Sequence, residues 1–509
     1  MEAVAFNFIS FVLFLSFIIL IHAQWKNKSK TSGKLPPGPW KLPIIGNLHQ
    51  LSNSVLPTHR VLGELAKKYW CSQGIMRLQI GEISAVVVSS PAMAKEFLKT
   101  HDLAFATKPE LVTNKIIFYN CSDIAFCPYG DYWRQMRKIC VMELLNGKNV
   151  RSFSSIRHDE IHILLAYVRS TSGHGQLVNF PERMFLLMTS IICRSAFGKV
   201  FTGREEFMEQ LKEMSELLGS FDFADVFPSW RILHGLCGGN KNRIIKAHRK
   251  VDAIIENIIK EHREKLENGR DESGGDCLID ALIRQMDSGD LRVPISHDNI
   301  KAIIIDMFAG GSETSTATTV WAMSEMMKNP RVMAKAQTEV REVFKGKETL
   351  DEKDIMEQLP YLKLVVKETL RCHPPFPVFS PRECREESIV NGYTIPLKTK
   401  VMINAWAIGR DPEYWKDPDS FIPERFEESS IDFTGNHFQY LPFGAGRRMC
   451  PGHAFGFANS MSPLAHLLFH FDWKLPNGVT VDSFDMTEKP GLSVGRNTDL
   501  CLIATPHIA

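Results

Sequence analysis

No two of the eleven cysteines are spaced as Cys-x-x-Cys, which removes both a dithiol redox pair and a zinc ribbon. Their odd number and wide scatter exclude a disulfide framework and fit a reducing compartment. No Gly-x-Gly-x-x-Gly is present, so the chain carries no dinucleotide loop of its own. The formal net charge of +2 is too small to hold a polyanion, and nucleic acid is not an expected partner. No Gly/Ser linker, low-complexity tract or repeat interrupts residues 41–509, so one large, mainly α domain with small β-sheets is expected there. Length alone would suggest about three domains. An apolar fraction of 44% is ample for a core.

What is present begins with an apolar run from Ala3 to Ala23, broken only by Asn7, Ser10, Ser16 and His22. About 20 such residues can cross a bilayer. The run has no basic start and no clear cleavage site, so residues 1–24 read as a retained anchor, with a cleaved signal peptide as the alternative. Five lysines follow between 26 and 41, with no acid until Glu64, which keeps the body cytosolic by the positive-inside rule. The sequons at Asn27 and Asn120 would then stay unmodified. Residues 25–40 form a basic hinge, stiffened by Pro36, Pro37 and Pro39.

Residues 443–452, Phe-Gly-Ala-Gly-Arg-Arg-Met-Cys-Pro-Gly, place one cysteine in a glycine-rich turn. Gly444 and Gly446 permit positive φ and close backbone approach. Pro451 suits a first helical position, putting Cys450 at a helix N-terminus. That terminus, with Arg447 and Arg448, is expected to favour the thiolate. A thiolate so held can ligate haem iron.

Ser296 to Lys328 reads as one helix of roughly 50 Å, with Ser296 as N-cap and Pro330 closing the pattern. Gly310 and Gly311 in its middle cost about 1 kcal/mol each against alanine, and nearby hydroxyls could bend it. A second helix, Pro360 to His373, sets Glu368 and Arg371 three apart on one face. Trp133 and Arg137 share a basic helix after Pro128-Tyr129-Gly130.

Together these segments resemble the cytochrome P-450 family of haem-thiolate monooxygenases, over the whole chain. The finer motifs are similar to plant microsomal A-type members, nearest the terpenoid hydroxylase and oxidase branch. They are Leu-Pro-Ile-Ile-Gly-Asn-Leu-His at 42–49, His-Pro-Pro at 373–375 and Ala-Trp-Ala-Ile-Gly-Arg-Asp-Pro at 405–412. The resemblance implies a P-450 fold with an N-terminal transmembrane helix in the endoplasmic reticulum membrane. It implies haem b on Cys450, beside Phe443, with propionates taken by Trp133, Arg137, Arg382 and Arg448. It makes Thr314 the hydrogen-bond donor to dioxygen and Glu313 the proton relay, and it joins Glu368, Arg371 and Arg425 in a structural network. Electrons would come from NADPH through a cytochrome P-450 reductase, with O2 as co-substrate and membrane lipid as a further partner. Lys108 and His453 depart from the usual pattern.

The same resemblance lines a substrate pocket with Phe105, Ile117, Phe118, Gly310, Val378, Phe379, Leu492 and Val494. Ile116, Phe221, Phe223 and Ile303 are further candidates. The scarcity of charge there points to an apolar substrate, a sesquiterpene or diterpene, with a fatty acid or indole alkaloid as alternatives. An oxygen-independent isomerase and a non-catalytic haem or lipid binder are the competing classes.

Overall fold

The computed structural model describes residues 33–507, apart from 53–55, 70–72, 173–174, 219–221, 235–238, 269–276, 348 and 490. The expected anchor at 1–24, most of the expected hinge, Asn27 and Phe221 lie outside the described residues. Among the described residues, no helix is long and apolar enough to cross a membrane. The described part of the segment expected to be a hinge lies against the body: Lys34 O accepts from Thr394 N at 2.8 Å and Pro37 O from Arg77 N at 2.7 Å.

Helices dominate, with small sheets at the periphery. The central helix, His297–Lys328, forms as its sequence dictates. Asn299 Oδ1 accepts from the Ser296 N–H at 2.7 Å, satisfying an orphan donor at the cap. The helix is buried nearly all round, packing on Phe180–Phe197 at one side and His453–His470 at another. Its run through Gly310 and Gly311 is continuous, so no break is needed to accommodate the glycines. The hydroxyls of Thr314, Thr318 and Thr319 bond back one turn, to the carbonyls of Gly310, Thr314 and Ser315.

Strands β1 (Ile75–Ile80) and β2 (Ile83–Val88) form a hairpin that starts the largest sheet. Four short strands come from the later chain: β4 (Arg382–Glu383), β5 (Ser388–Val390), β6 (Tyr393–Ile395) and β7 (Lys400–Ile403). β7 pairs parallel to β2 and antiparallel to β4, giving the order β1-β2-β7-β4. β3 (Leu177–Asn179), β8 (Phe471–Lys474) and β9 (Cys501–Pro506) make a second sheet, ordered β3-β9-β8. β5 and β6 pair separately.

The segment Pro423–Phe426 is held to the helix Pro360–Cys372 by a buried ionic network. Glu368 accepts from Arg371 at 2.7 and 2.8 Å and from Arg425 Nε at 2.8 Å. Arg371 also donates to Gly409 O and Pro418 O, both at 2.7 Å. Glu368 and Arg371 are fully enclosed, so the charges are matched where water cannot screen them.

Candidate functional site

A cavity of about 320 Å³ lies between the central helix and the Cys450 loop. Cys450, Phe443, Thr314, Glu313 and Gly310 all face it, as do Arg137, Arg382 and Arg448. The loop takes its shape from two left-handed glycines, Gly444 (φ 71°) and Gly446 (φ 70°). A side chain at Gly446 would meet Leu98 O at 2.1 Å. The Cys450 N–H donates to Phe443 O at 2.9 Å, closing the loop on itself.

Two expectations about Cys450 need correction. The helix after it begins at His453, with Gly452 at its cap, so Cys450 lies just outside the helix. The charges of Arg447 and Arg448 also do not set its ionisation. Arg447 is drawn away to Asp102, at 3.1 Å, while Arg448 donates to Ala106 O at 2.7 Å and Ile124 O at 3.2 Å. Burial pushes the Cys450 thiol up, and the Gly452 N–H and the Arg137 guanidinium offset part of that rise. Binding to a metal ion would itself displace the proton.

Four cations converge on the wall near the cysteine loop. Arg382 bonds Asp102 at 2.9 Å and Ala445 O at 3.0 Å. The hydrogen bonds of the other three go to main-chain carbonyls: Arg137 to Met449 O, Lys108 to Ser380 O, and Arg448 as above. Burial lowers all four, Arg448 to about 10. Arg382 is buried and the other three half-buried, and cations so placed with mostly neutral partners call for anions. A flat apolar ring with two carboxylates and an iron-binding thiol beneath it fits this donor set, so the residues fit haem. Trp133 does not reach the wall. Its indole N–H donates to Ile124 O at 2.9 Å, and its ring lies 4.4 Å from the Arg448 guanidinium and 5.3 Å from that of Arg137. Trp133 therefore supports the two arginines from behind.

Across the cavity, Gly310 has open space where a side chain would begin, whereas at Gly311 a Cβ would meet Ile192 Cδ1 at 2.8 Å. The two glycines thus serve different needs, room for an occupant and close helix packing. Glu313 Oε2 accepts from Ser215 Oγ at 2.7 Å, and burial pushes its carboxyl up. Glu216 and Lys489, paired at 3.2 Å, and Lys212 lie close enough to bias it.

Of the pocket residues expected from sequence, Phe118, Gly310, Phe379 and Leu492 reach the cavity. Phe105, Ile117, Val378 and Val494 lie behind the wall. Phe105 stacks edge-on to Phe97 at 4.7 Å, Ile117 belongs to the main core, and Val378 packs in the sheet-side cluster. Val494 offers its carbonyl to Trp321 at 3.0 Å. Ile116, Phe223 and Ile303 are likewise absent from the wall. Sequence reasoning missed Ile192, whereas Met307 and Asp306 lie in the stretch 303–315 that the family resemblance places on the pocket, without being singled out there. Asp306 was detectable as a lone acid within the apolar run 300–308. It accepts from the Ile124 and Ala125 N–H groups at 3.0 and 3.2 Å, and burial pushes its carboxyl to about 6.

The cytochrome P-450 family model matches residues 36–502. The chain is 59% identical to premnaspirodiene oxygenase of Hyoscyamus muticus over 99% of its own length and 98% of the relative's. It is 56% identical to 5-epiaristolochene 1,3-dihydroxylase of Nicotiana tabacum, covering 99% and 98%. It is 48% identical to germacrene A hydroxylase of Barnadesia spinosa, covering 96% of each. A zebrafish cytochrome P-450 solved with progesterone superimposes with a TM-score of 0.76 at 22% identity, covering 89% of this chain and all of that one, which fixes the fold. With the thiol loop, the cationic wall and the matched fold on one cavity, the chain belongs to the cytochrome P-450 family and is a haem-dependent monooxygenase.

Proposed function

We propose that this chain inserts one oxygen atom into an apolar terpenoid, a sesquiterpene or diterpene, within the cavity facing Cys450. The observation that carries the reading is the meeting of Cys450 with Thr314 and Glu313 on a cavity walled by Ile192, Met307, Phe379 and Leu492. The named activities of the three relatives support a sesquiterpene, and the apolar wall supports any compact hydrocarbon over a charged ligand.

Cys450 would hold the iron, Arg137, Arg382 and Arg448 the propionates, and Phe443 would pack beside the thiolate. When bound, haem supplies the reduction and cleavage of dioxygen, using electrons that the reductase draws from NADPH. Thr314 Oγ1 now donates to Gly310 O at 2.6 Å, so turning it toward the cavity costs one local bond. Glu313 connects the cavity to the polar face around Ser215 and would pass protons inward from solvent. The apolar wall excludes bulk water and orients a substrate by shape.

Residues 1–24 would anchor the chain in the endoplasmic reticulum membrane through a lumenal N-terminus. Residues 25–40 would link that anchor to the catalytic body, 41–509, facing the cytosol. The apolar run and its trailing lysines support this placement.

The test is oxygenation of C15 and C20 terpene hydrocarbons by microsomes carrying this chain and a plant reductase, under labelled dioxygen. A product bearing one labelled oxygen, dependent on NADPH, is expected. Turnover of a fatty acid or indole alkaloid with none of any terpene overturns the substrate class. Product formed without oxygen overturns the monooxygenase reading.

A further inference from the structure

Trp321 and His373 lie face to face just behind the cavity wall, with ring centroids 4.0 Å apart and ring planes 2° from parallel. Trp321 is fully enclosed on the central helix, in the turn after Thr318, which is still a residue of the wall. His373 caps the C-terminal end of the helix Pro360–Cys372. Neither ring lines the cavity itself.

Two stretches of the wall meet at this stack. The chain leaving His373 supplies Pro375, Phe376 and Phe379. A hairpin near the C-terminus supplies Leu492 and Ser493. Its arms are joined where the Lys489 N–H donates to Gly495 O and the Asn497 N–H to Thr487 O, both at 2.9 Å. Val494, beside the tip, ties the two stretches together. Its N–H donates to Pro375 O at 3.0 Å, and its carbonyl accepts from Trp321 Nε1 at 3.0 Å.

The stack is itself fixed from both chains. His373 Nε2 lies 2.7 Å from Glu325 Oε1, one turn on from Trp321 along the central helix. The Arg496 guanidinium lies 5.8 Å from the indole ring centre and donates to Thr498 O at 3.2 Å. All four side chains are buried, so the indole has little freedom to turn. A buried carbonyl that loses its donor is costly. Without the indole N–H, Val494 O must find another partner, and the adjoining Leu492 and Ser493 move with it.

A hydrocarbon offers the cavity no polar handle, so the shape of the wall sets its orientation. We propose that Trp321, backed by His373, is a positioning residue that decides which carbon of the substrate is oxygenated, by holding the Leu492–Ser493 edge of the cavity in register with the Phe376–Phe379 edge. The proposal rests on the terpenoid reading for its substrate alone.

The experiment compares haem-loaded wild type, Trp321→Phe and His373→Leu. Trp321→Phe keeps a flat ring against His373 and removes the N–H that holds Val494 O. With a reductase and the C15 and C20 terpene hydrocarbons, the ratio of regioisomeric products is expected to shift by at least about 10-fold in both variants, with the carbon monoxide spectrum unchanged. Val340→Ala, a core truncation on the helix Pro330–Val343 outside both stretches, should lower Tm and leave that ratio alone. A second arm needs no terpene. Imidazole and 4-phenylimidazole are titrated against the ferric Soret band, the first reporting on the iron and the second also on the wall. The ratio of their Kd values is expected to change by about 10-fold in both variants and not in Val340→Ala. If wild type oxygenates no terpene while the azole ratio shifts, the terpenoid reading fails and the positioning role stands. If Trp321→Phe does not carry haem, His373→Leu decides alone. Product and azole ratios equal to wild type, or shifted equally by Val340→Ala, overturn the proposal.

Discussion

The Ser215 hydroxyl donates to Glu313 Oε2 at 2.7 Å, which ties the acid of the central helix to the neighbouring helix Arg204–Leu218. Burial raises the Glu313 carboxyl, so ionising it costs native stability. That cost is absent at pH values below the ordinary carboxylate range and grows as pH climbs through the raised value. Glu313→Gln is therefore expected to melt higher than wild type at neutral pH, with the difference vanishing in acid. Its turnover should fall by about 100-fold through loss of proton exchange. Melts at the two pH values and product assays check both halves, and a variant with wild-type turnover removes Glu313 from proton delivery.

Thr314→Ala removes a hydroxyl whose present partner is Gly310 O. The stability cost should be at most about 1–2 kcal/mol. Normal haem content is expected, with a much lower ratio of product formed to NADPH oxidised and a matching release of peroxide. Wild-type coupling would assign proton guidance to another group.

Cys450→Ser leaves the loop intact, since the closing bond is made by the Cys450 main chain to Phe443 O. It should abolish the red-shifted Soret band of the reduced carbon monoxide complex. A retained band rules out Cys450 as the ligand.

Glu368→Ala strands the buried Arg371 guanidinium and one bond of Arg425. A loss of about 3–5 kcal/mol is expected, seen as failure to accumulate haem-loaded protein. Accumulation at wild-type level and Tm would contradict the structural role of the network.

Gly310 and Gly311 should part company under substitution. Gly310→Ala meets nothing within 4 Å and gains helix propensity of about 1 kcal/mol, so a higher Tm and an altered product profile are expected. Gly311→Ala must displace Ile192 Cδ1 from 2.8 Å, and should gain no stability while sparing the product profile better than Gly310→Ala. Equal product profiles in the two variants would refute the assignment of Gly310 to the cavity wall.

The sequence alone determined those features that one short segment specifies by its own chemistry. Ser296, the apolar period and Pro330 bound the central helix, because cap and breaker chemistry are local. Gly444 and Gly446 set the thiol loop, because only glycine accepts that φ without cost. Glu368 and Arg371 shared a helix face by spacing alone. Tertiary structure decided whatever depends on segments far apart in the chain. Phe105 and Val494 are apolar in suitable places yet face the core, and no periodicity tells a core wall from a cavity wall. Arg447 was claimed by Asp102, 345 residues away, and Trp133 turned its N–H to Ile124, choices that only packing makes.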